Sequence, residues 1–277
     1  ISVVMAIKGK YRVIGVDANP LDAGLYLADN AYTIPRGDSN DFLEKLLELC
    51  KREHVDFLIP TVNEELLPLA KSKKLFAEAG CKVLVAEPKS IESTLDKHLT
   101  SRYLEEGGIP SPKYGLPKSE SLERITERTG FPVVVKPRFG SGSRDISILS
   151  NIEDLRRDIE KRSHDSLVQA YIKGTEYTVD TLLDENLAPI AIVPRKRIET
   201  KAGISVKGRT VKNPKITRSA QKVANKFNLI YASNIQMIID GTGTPRVIEI
   251  NPRFSGGLPL SIAAGVDIPE LSLQILQ

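Results

Sequence analysis

Over the first hundred residues, short apolar runs alternate with segments of helical period. That alternation predicts a parallel sheet covered by helices. Residues 12–17 (RVIGVD) form a short apolar run ending in an acid, followed by a loop that holds Pro20 and Gly24. Residues 41–52 set Phe42, Leu46, Leu47 and Leu49 at helical spacing, with Asp38 and Ser39 as cap candidates. Residues 55–60 (VDFLIP) read as a buried strand, 64–79 as a second helix and 82–86 as a third strand. The opening ISVVMAIKGKY reads as an amphipathic helix entered part-way, and an upstream strand with a Gly-rich turn is expected before it. It has neither the basic start nor the small-residue cleavage site of a signal peptide. The tail ELSLQILQ reads as a helix cut short.

After Glu87-Pro88 the texture changes. Residues 90–106 are helical and Gly107-Gly108-Ile109-Pro110 stops them. A β-rich run at 131–137, a helix at 151–162 and a strand at 166–172 follow. Residues 176–184 and 187–193 alternate across an Asp-Glu-Asn turn, which predicts a β-hairpin. Residues 213–228 are helical, and 232–240 with 245–250 flank Gly241-Thr242-Gly243 as a second hairpin. The expected fold class is therefore a Rossmann-like α/β front followed by an α+β module with antiparallel pairing, the boundary lying near 88–95.

Composition narrows the function classes. Hydrophobic residues are 41% of the 277 and charged ones 27%, ordinary globular usage that excludes a disordered tail. No apolar run approaches the ~20 residues that span a bilayer, so no membrane partner is expected. A net charge of +4, no Trp and 5% aromatics give poor support for nucleic acid. His54, His98 and His164 lie far apart, which disfavours a zinc site. Two cysteines, Cys50 and Cys81, with no C-x-x-C, fit a reducing, cytoplasmic compartment.

Asp17, at a strand end, would suit a ribose if a Gly fingerprint preceded it. None is in the chain, so Asp17 reads as a structural acid and a Rossmann-type oxidoreductase is disfavoured. Stronger chemistry lies further on. In V133-V-V-K136-P-R-F-G140-S-G142-S, a lysine ends an apolar strand and small residues follow. The strand fixes the ammonium, and the turn lets backbone N–H groups approach oxyanions. No Lys-Ser/Thr follows the glycines, so this is not a Walker A loop, and a solvated lysine beside a flexible turn stays open.

In E249-I-N251-P-R253, Glu249 and Asn251 share one face of a strand, and Gln236 sits across the hairpin. Their oxygens suit Mg²⁺, and Arg253 could clamp an anionic intermediate. Two polar groups interrupting an apolar strand argue against a merely polar hairpin, because burying them unpaired is costly. The segment L167-V-Q169-A-Y171-I172-K-G-T-E176 is by itself an ordinary strand and turn. Residues 195–218 hold nine Lys/Arg and one acid, Glu199, and read as a solvated basic loop or an anion-recruiting mouth.

Taken in order, D96-K97…R102, VVVK136P with G140-S-G-S, Q169-A-Y-I with GTE176Y, N234-I-Q236 and E249-I-N251-P-R253 resemble the ATP-grasp superfamily. The likeness is to halves of the carbamoyl phosphate synthetase large subunit and to related carboxylate–amine ligases. It runs from about residue 95 to the C-terminus, and the front looks like the small domain preceding such a module. The resemblance implies domains at 1–92 and 93–277, with 110–172 as a lid that shuts out water. It implies ATP and Mg²⁺ (or Mn²⁺) as cofactors. Lys136 and either Lys97 or Arg102 would hold the phosphates, with Gly140, Ser141, Gly142 and Ser143 closing over them. The backbone of Gln169, Ala170, Tyr171 and Ile172 would meet adenine, and Glu176 the ribose. Gly203 falls where family members run backbone past the nucleotide. Gln236, Glu249 and Asn251 would bind metal, with Arg253 and Lys136 as catalytic residues.

Two positions depart from the family pattern. Gln169 stands where an acid is common. Gln236 stands where many members have an acid, although carbamoyl phosphate synthetases also use glutamine, and this leaves the number of metals open. The implied reaction activates a carboxylate as an acyl phosphate for attack by an amine, and these two small molecules are the expected partners. Carbamoyl phosphate synthesis itself is disfavoured for a single half-module, and an amino-acid or peptide-type carboxylate ligase is preferred. The alternative is a non-catalytic ATP-binding regulator or an inactive ligase relative. A homodimer is compatible with the sequence but not selected by it.

Overall fold

The computed structural model describes residues 1–140, 142, 145–201 and 203–276, with Ile204 described by its backbone alone. The front of the chain builds two parallel strand pairs: β1 (Ile14–Asp17) with β2 (Asn30–Thr33), and β3 (Phe57–Leu58) with β4 (Lys82–Val83). The expected single parallel sheet is thus divided. A cavity of about 490 Å³ lies between the pairs, lined by Ile14 and Val16 on one side and Phe57 and Ile59 on the other. The run at 55–60 contributes only two paired residues. β2 is absent from the sequence-based expectation because NAYT is mostly exposed and carries no apolar run; pairing with β1 holds it. The helices Phe42–Glu53 and Asn63–Glu78 supply Phe42, Leu46, Leu66, Leu69 and Phe76 to the core of this part.

Residues 90–106 do not form one helix. They break at Asp96 into Pro88–Leu95 and Lys97–Glu106. Asp96 is extended (φ −88°, ψ 105°), and its carboxylate accepts the N–H groups of His98 and Leu99. An aspartate that caps the second helix in this way cannot continue the first.

The next sheet has the order β5-β8-β6-β7, from β5 (Tyr114–Gly115), β6 (Val133–Pro137), β7 (Ser147–Leu149) and β8 (Ser166–Ala170). Helices Leu122–Thr129 and Ile152–Lys161 cover it, and Ile125, Val133, Val135, Leu155 and Val168 are fully buried between them. Each such aliphatic side chain contributes about 1.5–3 kcal/mol, enough to give this small sheet a core of its own.

Both expected hairpins form, and they join one antiparallel sheet of order β11-β10-β9-β12-β13. Its strands are β9 (Gly174–Leu183), β10 (Pro189–Lys201), β11 (Ile204–Thr210), β12 (Tyr231–Asp240) and β13 (Pro245–Asn251). Helix Pro214–Lys226 covers one face, setting Ile216, Ala220 and Val223 against Val179, Ile235 and Val247. The basic stretch is a correction: much of it is the β10–β11 hairpin rather than a solvated loop. Arg195 is 2% exposed and paired with Asp180. Among the described residues no helix is long and apolar enough to cross a membrane.

Candidate active site

A cavity of about 660 Å³ opens between the four-stranded and five-stranded sheets. That size suits a drug- or nucleotide-sized guest. Lys136, the penultimate residue of β6, reaches across the cavity to the Ile248 carbonyl of β13, 3.1 Å away. Lys97 opens the helix Lys97–Glu106, and its ammonium donates to the Gly140 carbonyl at 2.7 Å. Gly140 (φ +106°) and Gly142 (φ +79°) hold left-handed backbone that favours glycine, so the turn needs these residue types. Ser141 and Ser143 lie outside the described residues.

Glu249 lines the same cavity as Lys97 and Lys136, and Asn251 lines an adjoining small cavity with Lys97, Gly140, Gln169 and Glu249. Burial pulls the Lys136 ammonium down to about 8, against the upward pull of Glu249 and helped by the Lys97 charge. Burial lowers Lys97 as well, again opposed by Glu249. Among the described residues neither lysine has a carboxylate within ion-pair distance; both donate only to carbonyls. A buried ammonium (Lys136) and a half-buried one (Lys97) facing one hollow, with no carboxylate in ion-pair distance among the described residues, are an arrangement that an anion would complete.

Arg102 is not part of this arrangement. It pairs with Glu106 at 3.5 Å on the outer face of its helix and lines none of these cavities. The sequence left Lys97 and Arg102 as alternatives, and the helix geometry places only Lys97 inward.

Gln169 is 5% exposed, and its amide donates to Ser101 Oγ at 3.1 Å. The backbone N–H groups of Ala170 and Tyr171 are spent on the carbonyls of Lys113 and Pro132. All four residues from Gln169 to Ile172 line the cavity, as do Glu176 and Gly203. Burial raises the Glu176 carboxyl, although the adjacent Arg197 guanidinium opposes the rise.

Gln236 pairs with Glu249 in the β12–β13 register, as the hairpin spacing predicts. Asn251 is 6% exposed; its Nδ2 donates to Asn234, which frees its carbonyl oxygen for another partner. A divalent cation would therefore find the Glu249 carboxylate and the Asn251 carbonyl, hard oxygen donors suited to Mg²⁺. Among the described residues no three His, Cys, Asp or Glu side chains converge, so further ligands would come from a bound anion or water.

Arg253 lines the front cavity of about 490 Å³ rather than the one between the sheets. Its Nε donates to Asn63 Oδ1 at 2.7 Å, and one terminal nitrogen donates to the Phe254 carbonyl at 3.0 Å. It feels the charges of Glu249, Glu64 and Glu65, which links it electrostatically to Glu249. Asn63 was not among the sequence candidates, nor was Arg197, which lines the main cavity from β10. The available signal was period: Arg195 and Arg197 are two apart on a strand, so they share a face. Counting them as solvent charge hid that.

Two family models match the chain. "ATP-grasp in the biosynthetic pathway with Ter operon" matches residues 162–277, and "PylC-like, N-terminal domain" matches residues 2–84. A carbamoyl-phosphate synthase of Methanobrevibacter smithii is 28% identical over 270 residues, covering 89% of this chain and 69% of that protein. The carbamoyl phosphate synthase large chain of Clostridium acetobutylicum is also 28% identical, over 99% of this chain but only 27% of its own length. A biotin carboxylase from Campylobacter jejuni, solved as a β-γ-ATP complex, superposes with a TM-score of 0.80 at 16% identity. That match covers 99% of this chain and 67% of the carboxylase.

Proposed function

We propose that the chain is an ATP-grasp enzyme, an ATP- and Mg²⁺-dependent ligase; the ATP-grasp and PylC-like family models that match residues 162–277 and 2–84 support this reading. It activates a carboxylate for attack by an amine and so makes a C–N bond. The observation that carries this reading is that the ammonium groups of buried Lys136 and half-buried Lys97 face one cavity beside Glu249, with no carboxylate in ion-pair distance among the described residues. Residues 1–92 form a Rossmann-like front domain and 93–277 the ATP-grasp module, with 110–172 as its lid.

ATP supplies a phosphoryl group that turns a carboxylate, a poor electrophile, into an acyl phosphate. The chain's own task is positioning and charge neutralisation, which phosphoryl transfer needs more than a protein nucleophile. Lys97 and Lys136 hold the phosphates, and the turn at Gly140 closes over them. Glu249 and Asn251 hold the magnesium ion. The 169–172 backbone meets adenine, with the Ile172 N–H as its donor, since those of Ala170 and Tyr171 are spent. Glu176 takes the ribose hydroxyls. Arg253, held by Asn63, presents a fixed guanidinium where charge develops. The lid sheet excludes water, which protects an acyl phosphate from hydrolysis.

The carboxylate is amino-acid- or peptide-like and the nucleophile is an amine. Thermal-shift titration with Mg²⁺ and a non-hydrolysable ATP analogue, followed by ADP release across a panel of such carboxylates and amines, tests the reading. Stabilisation by the analogue and ADP release that depends on one acid–amine pair are expected. Stabilisation without ADP release from any pair would leave a non-catalytic ATP binder. No stabilisation would remove the nucleotide site itself.

A further inference from the structure

The cavity holds a cation that the superfamily resemblance did not assign. Arg197, 6% exposed at its side chain, lies on β10 one step past the Lys196–Tyr177 pair of the β9–β10 ladder. A bulge follows it in the pairing with β11, between Arg197 and Glu199. Bulges re-aim side chains, and here the guanidinium turns into the cavity. One terminal nitrogen donates both to the Glu176 carboxylate and to Gln236 Oε1, the latter at 3.0 Å. The other donates to the Gly203 carbonyl at 2.7 Å. Its Nε is buried with no partner among the described residues.

This arrangement conflicts with Gln236 as a metal ligand. A neutral amide offers one acceptor oxygen with two lone pairs, and one of these already takes a guanidinium N–H. A divalent cation placed there would also meet a fixed positive charge in a poorly solvated hollow, where like charges repel strongly. Glu249 and Asn251 carry no such guest, and Glu249 makes no ion pair among the described residues.

We propose that Arg197 takes the place of a second divalent cation at Gln236, so that the nucleotide site works with one metal ion, held at Glu249 and Asn251. Arg197 is on this view a positioning residue: it fixes Glu176 and Gln236. The proposal rests on the reading of the cavity as a nucleotide and metal site.

The test is a count of bound Mn²⁺ by electron paramagnetic resonance. The full chain is mixed with one equivalent of a non-hydrolysable ATP analogue at concentrations well above its dissociation constant. One tightly bound Mn²⁺ per complex is expected for the unaltered protein, and a second equivalent is expected on Arg197→Met, with the melting curve reporting that the variant is folded. Two equivalents in the unaltered protein would overturn the proposal, as would a folded Arg197→Met that still binds one with unchanged affinity. Should Arg197→Met fail to fold, the count in the unaltered protein decides alone. Absence of any nucleotide-dependent Mn²⁺ binding would instead reject the nucleotide-site reading and this proposal with it.

Discussion

The Lys136 ammonium donates to the Ile248 carbonyl across 3.1 Å, joining β6 of the four-stranded sheet to β13 of the five-stranded one. The bond crosses the cavity floor between residues 112 positions apart. It holds the charge in place before any guest arrives, and a neutral carbonyl does not neutralise it. A buried cation fixed by a neutral acceptor is primed for an anion, because ordering costs are already met.

That state predicts a pH dependence of nucleotide binding. With burial pulling Lys136 to about 8 in the empty protein, the ammonium is charged below that pH and increasingly neutral above it. Phosphates bind the charged form. Affinity for a non-hydrolysable ATP analogue with Mg²⁺ should be level below pH 8 and weaken above it, by up to ~tenfold per unit. The same linkage makes the empty fold gain stability as pH rises from about 8 toward the ordinary lysine value, because the unfolded chain then holds the extra proton. Calorimetric titrations at several pH values check this; an affinity that stays level through pH 9.5 contradicts it. In Lys136→Met the loss of a charge-assisted bond, about 1.5–3 kcal/mol, should weaken binding roughly tenfold to a hundredfold. The downturn above pH 8 should disappear with the ammonium.

Asp96 ties the start of the Lys97–Glu106 helix to Arg138, the residue after β6. Its carboxylate caps the helix that Lys97 begins and accepts the Arg138 guanidinium at 2.9 and 2.6 Å. Burial pushes the Asp96 carboxyl up, but Arg138 and the helix N–H groups outweigh it and hold it below the usual range. Its contribution to stability is therefore present above the unfolded-state value, near pH 4, and lost as pH falls through the lower folded value. Asp96→Ala should cost about 1–3 kcal/mol, through the lost cap and an unpaired, partly exposed guanidinium. It should also weaken nucleotide binding, because Lys97 loses its anchor. Chemical denaturation and analogue titration measure the two effects; unchanged affinity would show that Lys97 does not depend on the cap.

How much of this was legible in the sequence follows from which signals are local. Hairpin spacing put Gln236 opposite Glu249, and strand period put Glu249 and Asn251 on one face; both depend on neighbours within about fifteen residues. Helix direction was not local. Lys97 and Arg102 were equal candidates until the cap at Asp96 fixed which way that helix turns. The basic stretch misled for a related reason. Its charge count describes solvent faces, whereas Arg195 and Arg197 are neutralised by Asp180 and Glu176 on β9, partners that only the strand order reveals. Strand β2 gave no signal because one parallel neighbour, not its own side chains, makes it a strand.

The buried pair Arg195–Asp180 yields the last prediction. Both side chains are almost inaccessible, at 2% and 3%, and the guanidinium meets both carboxylate oxygens at 2.8 and 2.9 Å. Ser255 accepts from the same guanidinium and Ser261 donates to the carboxylate, so the network reaches the turn that follows Arg253. The guanidinium also fills the space where a side chain at Gly257 would begin; a Cβ there would lie 2.1 Å from its terminal nitrogen. Breaking a buried pair from one side leaves a charge without compensation, so Arg195→Met should cost about 3–5 kcal/mol. Removing both charges, as Arg195→Met with Asp180→Leu, should recover most of that loss, since an apolar pair of similar volume avoids the desolvation penalty. If the network also positions Arg253, the stable double variant should bind the ATP analogue as before yet release ADP more slowly. Denaturant midpoints for the two single variants and the double variant give the coupling energy. Additive losses would show that the two groups act independently despite their geometry, and an unchanged ADP-release rate in the double variant would free Arg253 from this network.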